Sequence, residues 1–129
     1  MKNRKISIML VEDEALIALN LQMELELEGF YICACVATGE EAVEKAGTER
    51  PALILMDVNL AGEMDGITAA GKILNRYPDC RVIFMTGYSK NDITERLNRL
   101  HISSLAFLLK PVEVDAIKPL IDQHFGTME

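Results

Sequence analysis

The sequence predicts an α/β fold, a parallel sheet covered by helices on both faces, and three observations carry that prediction. Short apolar runs (ISIMLV, YICACV, PALILM, RVIFM and SLAFLL) alternate with helix-patterned segments, so the order reads β-α five times. That order implies right-handed crossovers and parallel pairing. The runs are almost continuously apolar, as strands buried on both faces are. Residues of a particular chemistry stand where those runs should end: Glu12 and Asp13, then Asp57, Thr86 and Lys110. The ends of parallel strands converge on one rim, where open α/β folds keep their sites.

The first strand is expected over about residues 5 to 11 and the first helix over about 14 to 28, with Asp13 and Glu14 near its positive end and Gly29 as its stop. Residues 21–28 (LQMELELE) alternate like a strand, but they are helix formers with no β-branched member, so helix is predicted. Leu16, Leu19, Met23 and Leu27 read as the core stripe of this helix. Ile17, Leu21 and Leu25 form a second apolar line on roughly the opposite side, expected to pack on the last helix; the alternative is an exposed patch for a partner or a second copy of the chain. Thr38 with Glu41 three residues on is a capping box opening the second helix. The third strand is read as Leu53 to Met56, and the third helix as about Ile67 to Tyr77, stopped by Pro78. Ser89 and Asp92 start the fourth helix, whose stripe is Ile93, Leu97 and Leu100. Ile117, Leu120, Ile121 and Phe125 mark the fifth, where Pro119 removes a backbone donor unless the helix begins late, near Asp115.

At 129 residues the chain is read as one domain, 1–129, with no linker, repeat or low-complexity tract. Half of it is apolar, yet no apolar run approaches a membrane span, and the start lacks a cleavable signal pattern. A soluble cytoplasmic domain without membrane contact is expected. A net charge of −7 argues against direct nucleic-acid binding. Cys33, Cys35 and Cys80 lack metal-ligand spacing; Cys33 and Cys35 alternate in a strand and so share a face, and all three are expected as buried or half-buried reduced thiols. His101 and His124 follow helical segments without acid or thiol partners and read as surface or helix-end residues.

The rim residues suit phosphoryl chemistry with Mg²⁺, which takes one or two carboxylates plus waters and a phosphate oxygen. Asp13 and Asp57 can supply the carboxylates, with Glu12 holding a metal-bound water. Three acids this close repel one another until a divalent cation relieves them. Asp57 is the expected nucleophile because it ends the central strand and opens the loop VNLAGEMDG, and carboxylates do accept phosphoryl groups covalently. Lys110 would pair with one phosphoryl oxygen and Thr86 donate to another, while Gly87 leaves the approach open.

Through VEDE (11–14), LMDVNLAGEMDG (55–66), FMTGYS (84–89) and FLLKP (107–111), the chain resembles the receiver domain of two-component response regulators over essentially its whole length. The resemblance, to chemotaxis-regulator-like members, implies a flavodoxin-like three-layer doubly wound (βα)5 fold with strand order 2-1-3-4-5. It implies that Asp57 takes a phosphoryl group from the phosphohistidine of a histidine kinase or histidine phosphotransfer protein. Mg²⁺ would be held by Asp13, Asp57 and the backbone carbonyl of Asn59. Thr86 and Phe107 match the family's switch pair, and Lys110-Pro111 its lysine before a cis peptide. Such a domain assists its own phosphorylation and dephosphorylation and presents a switched surface to a downstream protein, with a homodimer as one outcome. Two departures stand out: the segment from Asp57 to Gly66 is one residue longer than the usual pattern, and Ala61 stands where proline is common. The LxGEMDG and FMTGY forms resemble stand-alone receivers and those joined to hybrid kinases, and Tyr88 is placed to shield a phosphoryl group from water.

Other readings fit less well. An aspartyl-nucleophile phosphatase wants a second acid two residues after the nucleophile, where this chain has Asn59. A flavin carrier wants a hydroxyl-rich loop where Glu12-Asp13-Glu14 stand. A degenerate interaction module would not keep the acid, threonine and lysine set. The sequence ends four residues after Phe125, which leaves no room for an output module; a stand-alone regulator and a receiver excised from a hybrid kinase or longer regulator both remain.

Overall fold

The computed structural model describes residues 6–87 and 90–126. Strand and helix alternate through β1 (Ser7–Val11), α1 (Ala15–Leu27), β2 (Tyr31–Val36), α2 (Gly39–Glu49), β3 (Leu53–Asp57), α3 (Gly66–Arg76), β4 (Arg81–Thr86), α4 (Lys90–Leu100), β5 (Ala106–Leu109) and α5 (Val114–Phe125). The strands form one sheet in the order β2-β1-β3-β4-β5, and every pairing is parallel. This is the doubly wound, flavodoxin-like architecture expected. Every residue of β3 is buried, which requires a strand neighbour on each side and helices on both faces. Successive residues feed opposite layers: Met9, Val11, Ile54, Met56 and Phe84 pack with Ile73 of α3 and Leu97 of α4. Ile8, Leu10, Leu55 and Ile83 pack with Leu25 of α1 and Ile117 of α5.

Local signals set the helix ends. Gly29 adopts φ 89 after α1, a left-handed position that glycine takes without strain. Thr38 Oγ1 accepts the Glu41 N–H at 3.1 Å, while Glu41 Oε1 accepts the Ala37 N–H at 3.3 Å. The third helix starts at Gly66, one residue before the predicted position, because Asp65 Oδ1 accepts the Thr68 N–H at 2.9 Å and serves as its cap. Ser89, proposed to start α4, and Tyr88 lie outside the described residues. His101 is exposed and closes α4 with φ 57; His124 is exposed in the last turn of α5.

The structure corrects several sequence expectations. The buried face of α1 is Ala18, Leu21 and Leu25, whereas the expected core stripe faces solvent, with Leu16 83%, Leu19 54%, Met23 53% and Leu27 84% exposed. Apolar residues surround this helix, so periodicity alone could not choose; the side bearing small Ala18 lies against the sheet and Leu21 and Leu25 share a layer with Ile117 and Ile121 of α5. Ile17, at 43% exposure, is only partly covered. Cys33 and Cys35 do not share a face. The β1–β2 register slips between Ile8 and Met9, which pair with Ile32 and Ala34, so Cys33 is the extra residue of a bulge. Cys33, Ala34 and Val36 join the α2–α3 layer, which turns Cys35 to the other face, where it is exposed. Leu100 is also exposed, at 48%, because the chain turns at His101 and Ile102 packs on the core instead. Finally, α5 begins at Val114, so exposed Pro119 lies beyond its first turn and deprives the Asp115 carbonyl of a helical donor.

The corrected face of α1 has a direct stability test. Leu25→Ala should cost about 2–5 kcal/mol by opening a core cavity, and Leu27→Ala should stay within about 0.5 kcal/mol, as measured by urea denaturation. Equal losses would mean that both sides of α1 are packed.

Candidate functional site

The backbone ladder continues past the strand ends and fixes what stands there. The Glu12 N–H donates to Val36 O at 3.0 Å, Val58 N–H to Met85 O at 3.0 Å and Lys110 N–H to Thr86 O at 2.8 Å. Glu12, Asp57 and Thr86 are thereby buried on one rim, at 3%, 1% and 0% exposure, as their positions after apolar runs predict. Asp13 is more open. One carboxylate oxygen from each of Glu12, Asp13 and Asp57 lies within 4.8 Å of the others. The Lys110-Pro111 peptide is cis. Lys110 Nζ sits 2.7 Å from Asp57 Oδ2 and 2.8 Å from Glu12 Oε1.

The remaining polar contacts are specific. Asp57 Oδ1 accepts the Asn59 N–H at 3.1 Å, and Asp13 Oδ2 accepts the Ala61 N–H at 3.1 Å. Glu12 Oε2 accepts the Glu14 N–H at 3.1 Å. Its buried Oε1 has charge attraction from Lys110 but no aligned hydrogen bond. Among the described residues, a Cβ built on Gly87 would meet nothing within 4 Å. Phe107, half-buried on β5, stacks on Phe84 with ring centroids 5.8 Å apart.

The charges do not balance. Burial would raise the Glu12 carboxyl, but Lys110 and the Glu14 N–H hold it below its usual value. For Asp57 burial prevails, opposed by Lys110 and reinforced by the Glu12 charge, and the carboxyl rises to about 6. Burial would lower Lys110, but Asp57 and Glu12 raise it. Among the described side chains, one ammonium thus serves two buried carboxylates, with Asp13 adjacent. An unbonded buried oxygen in an all-oxygen cluster fits a hard divalent cation with coordinated water.

Sequence reasoning missed the network beside this rim. Arg96 of α4 donates to Asp65 through both terminal nitrogens, at 2.5 Å and 3.2 Å, and to Thr68 Oγ1 at 3.1 Å. Asp65 two residues before Ile67 and three before Thr68 is a readable cap signal; Arg96 gives no signal, because its partner lies 31 residues away. An apolar hollow of about 340 Å³, lined in part by Leu16, Ile17, Met85 and Pro111, also reaches Glu12 and Lys110.

Fold and rim together define a doubly wound domain with an acid, hydroxyl and ammonium set at its strand ends. The chain belongs to the response regulator receiver domain family, whose sequence model matches residues 8–122. It is 34% identical over 115 residues to the transcriptional regulatory protein PdtaR of Mycobacterium tuberculosis, covering 89% of this chain and 54% of that protein. Against the chemotaxis protein CheY of Bacillus subtilis it is 28% identical over 116 residues, covering 90% of this chain and 94% of that one. The signal receiver domain of a modulated diguanylate cyclase from Desulfovibrio desulfuricans superposes with a TM-score of 0.80 at 30% identity, over 92% of this chain and 91% of that one. The chain spans about half the length of PdtaR. It is a two-component receiver of the phosphoryl-accepting class. Receivers as a family bind Mg²⁺ and work with histidine kinases and downstream effectors. Among the described residues, no helix is long and apolar enough to cross a membrane.

The raised Asp57 carboxyl sets a pH dependence in the metal-free protein. Folded Asp57 titrates near about 6 against 3.8 without the fold's influence, so the folded state holds the extra proton between those values and loses stability as pH rises through them. Asp57→Asn cannot ionise, and its melting temperature should gain on the wild type between pH 4 and pH 7. Parallel curves for the two proteins would contradict the assignment.

Proposed function

We propose that Asp57 accepts a phosphoryl group from a phosphohistidine of a histidine kinase or histidine phosphotransfer protein, and that the modified domain acts on a downstream protein. The observation that carries this reading is the pairing of a buried, strand-end carboxylate with Lys110 at 2.7 Å. An Asp57 oxygen attacks phosphorus, the N–P bond of the donor breaks, and the leaving imidazole nitrogen takes up a proton. Lys110 transfers its charge to a phosphoryl oxygen, and the Thr86 hydroxyl donates to another. Mg²⁺, when held by Asp13, Asp57 and the Asn59 carbonyl with Glu12 on a coordinated water, supplies the positive charge that the incoming phosphoryl group needs. Asn59 meets Asp57 through its N–H, which keeps its backbone at the site. Thr86 and Phe107 serve as the switch, the ring turning further inward beside Phe84 as the hydroxyl moves, which biases two arrangements of the β4–β5 side.

The exposed stripe of α1 supports a place for the donor. Leu16, at its upper end, borders the hollow that reaches Glu12 and Lys110, so a protein bringing phosphohistidine to Asp57 passes over this helix. Glu24 and Glu26 flank the stripe, and neither shows an ion pair with a basic group among the described residues. A second copy would meet the same acids face to face, so this surface favours an apolar partner face flanked by basic groups over a homodimer through α1. On this reading the domain works in the cytoplasm.

Acetyl phosphate with Mg²⁺ should add one phosphoryl mass to the wild type and none to Asp57→Asn, read by intact-protein mass spectrometry; undiminished modification of the variant would place the acceptor elsewhere. Mg²⁺ should also raise the melting temperature, by the equivalent of about 2.7 kcal/mol at a hundredfold excess over its dissociation constant. Asp13→Asn should shrink that shift, and a wild type indifferent to Mg²⁺ would remove the metal from the mechanism.

A further inference from the structure

We infer that Arg96 is a positioning residue for the phosphoacceptor: from α4, its guanidinium anchors the far end of the segment between Asp57 and α3. The inference rests on Asp57 being the acceptor. That segment is pinned in three places. Its start is tied by Val58 N–H to Met85 O at 3.0 Å, and its middle by Ala61 N–H to Asp13 Oδ2 at 3.1 Å. At its end, Gly66 N–H donates back to Val58 O at 2.9 Å, and a Cβ on Gly66 would lie 2.0 Å from the Asp57 carbonyl oxygen. The first turn of α3 therefore rests directly on the acceptor's backbone, and a shift of one moves the other.

Arg96 fixes that turn from outside. A helix cap needs one side-chain oxygen, and Asp65 Oδ1 already provides it to Thr68 N–H. The fork from Arg96 engages both Asp65 oxygens and the Thr68 hydroxyl as well. A planar bidentate pair fixes direction as well as distance. Arg96 sits one residue before Leu97 and three after Ile93, both buried in the core, so the anchor is as rigid as α4. The middle pin is the vulnerable one, because a cation on Asp13 competes for the same carboxylate. With that pin weakened, the Arg96 end carries more of the restraint on Asn59 and Asp57.

The test compares Asp65→Asn, which keeps the cap oxygen but loses the charged fork, with Arg96→Met, Arg96→Lys and the double Asp65→Asn/Arg96→Met variant. Amide exchange across residues 58–65, measured without any phosphodonor, should rise about fivefold in each of Asp65→Asn and Arg96→Met and no further in the double variant. Arg96→Lys should restore little, since a point charge cannot replace the fork. The rate of phosphorylation by acetyl phosphate at saturating Mg²⁺ should fall by a similar factor in the same variants. Thr68→Val, which removes only the third contact, gives a smaller rise in the same segment and stands in if another variant fails to fold. Unchanged exchange in the folded variants, or losses that multiply in the double, overturn the anchor. Raised exchange with a wild-type phosphorylation rate overturns the positioning role. A wild type that takes no phosphoryl group instead overturns the acceptor reading, and does so before any variant is made.

Discussion

Lys110 stands between two carboxylates that the fold has taken out of water, 2.8 Å from one and 2.7 Å from the other. Burying a carboxylate costs several kcal/mol unless it is paired and hydrogen-bonded. One ammonium cannot fully compensate two such groups, and the divided outcome is visible: Glu12 is held below its usual range while Asp57 is pushed up to about 6. The arrangement persists because the surrounding strands over-determine it. Glu12 and Asp57 each follow a run of residues with 0% exposure, and the ladder holds the backbone there, the Glu12 N–H on Val36 O and the Val58 N–H on Met85 O. A site short of positive charge is one prepared for a ligand that brings it.

The scaffold holds this site through contacts too close to slip. Gly66 allows α3 to sit on the Asp57 carbonyl, where any side chain would overlap it. Asp65 caps that helix and holds Arg96 of α4. On the other flank, Lys110 N–H bonds to Thr86 O, and Phe107 stacks on Phe84 one strand away. Asp57 is thus flanked by two sets of contacts, one running from α3 to α4 and one from β4 to β5. Both lie in the layer where Ile73 and Leu97 pack with Phe84 and Phe107.

The parts legible in the sequence were those fixed by position along one strand. Asp57, Thr86 and Lys110 could be placed because each ends an apolar run, and parallel strands bring such ends together whatever the helices do. The strand order and the cis peptide at Lys110-Pro111 followed from the family likeness. What could not be read depended on phase or on distant partners. Helix α1 is apolar around its circumference, so its buried face was decided by Ala18 against the sheet and by α5, not by periodicity. One inserted residue at Cys33 reversed the face of everything after it in β2. Arg96 looks like an ordinary exposed helix residue until the fold brings Asp65 to it.

The same charge bookkeeping constrains how a phosphoryl group can be received. A phosphoryl oxygen needs Lys110, yet Lys110 is committed to Asp57 Oδ2 and Glu12. In the reading proposed above, attack by Asp57 would resolve the conflict, because an acyl phosphate would no longer carry the carboxylate's full charge and would release the ammonium to the new oxygens. Glu12 would then remain buried with a weakened partner and an oxygen that has no hydrogen bond in the metal-free protein. On the same proposal a cation or its bound water would offset that charge, and metal and phosphoryl group would stabilise one another by linkage. An empty site would resist phosphorylation for the same electrostatic reason that a phosphorylated one would retain its metal.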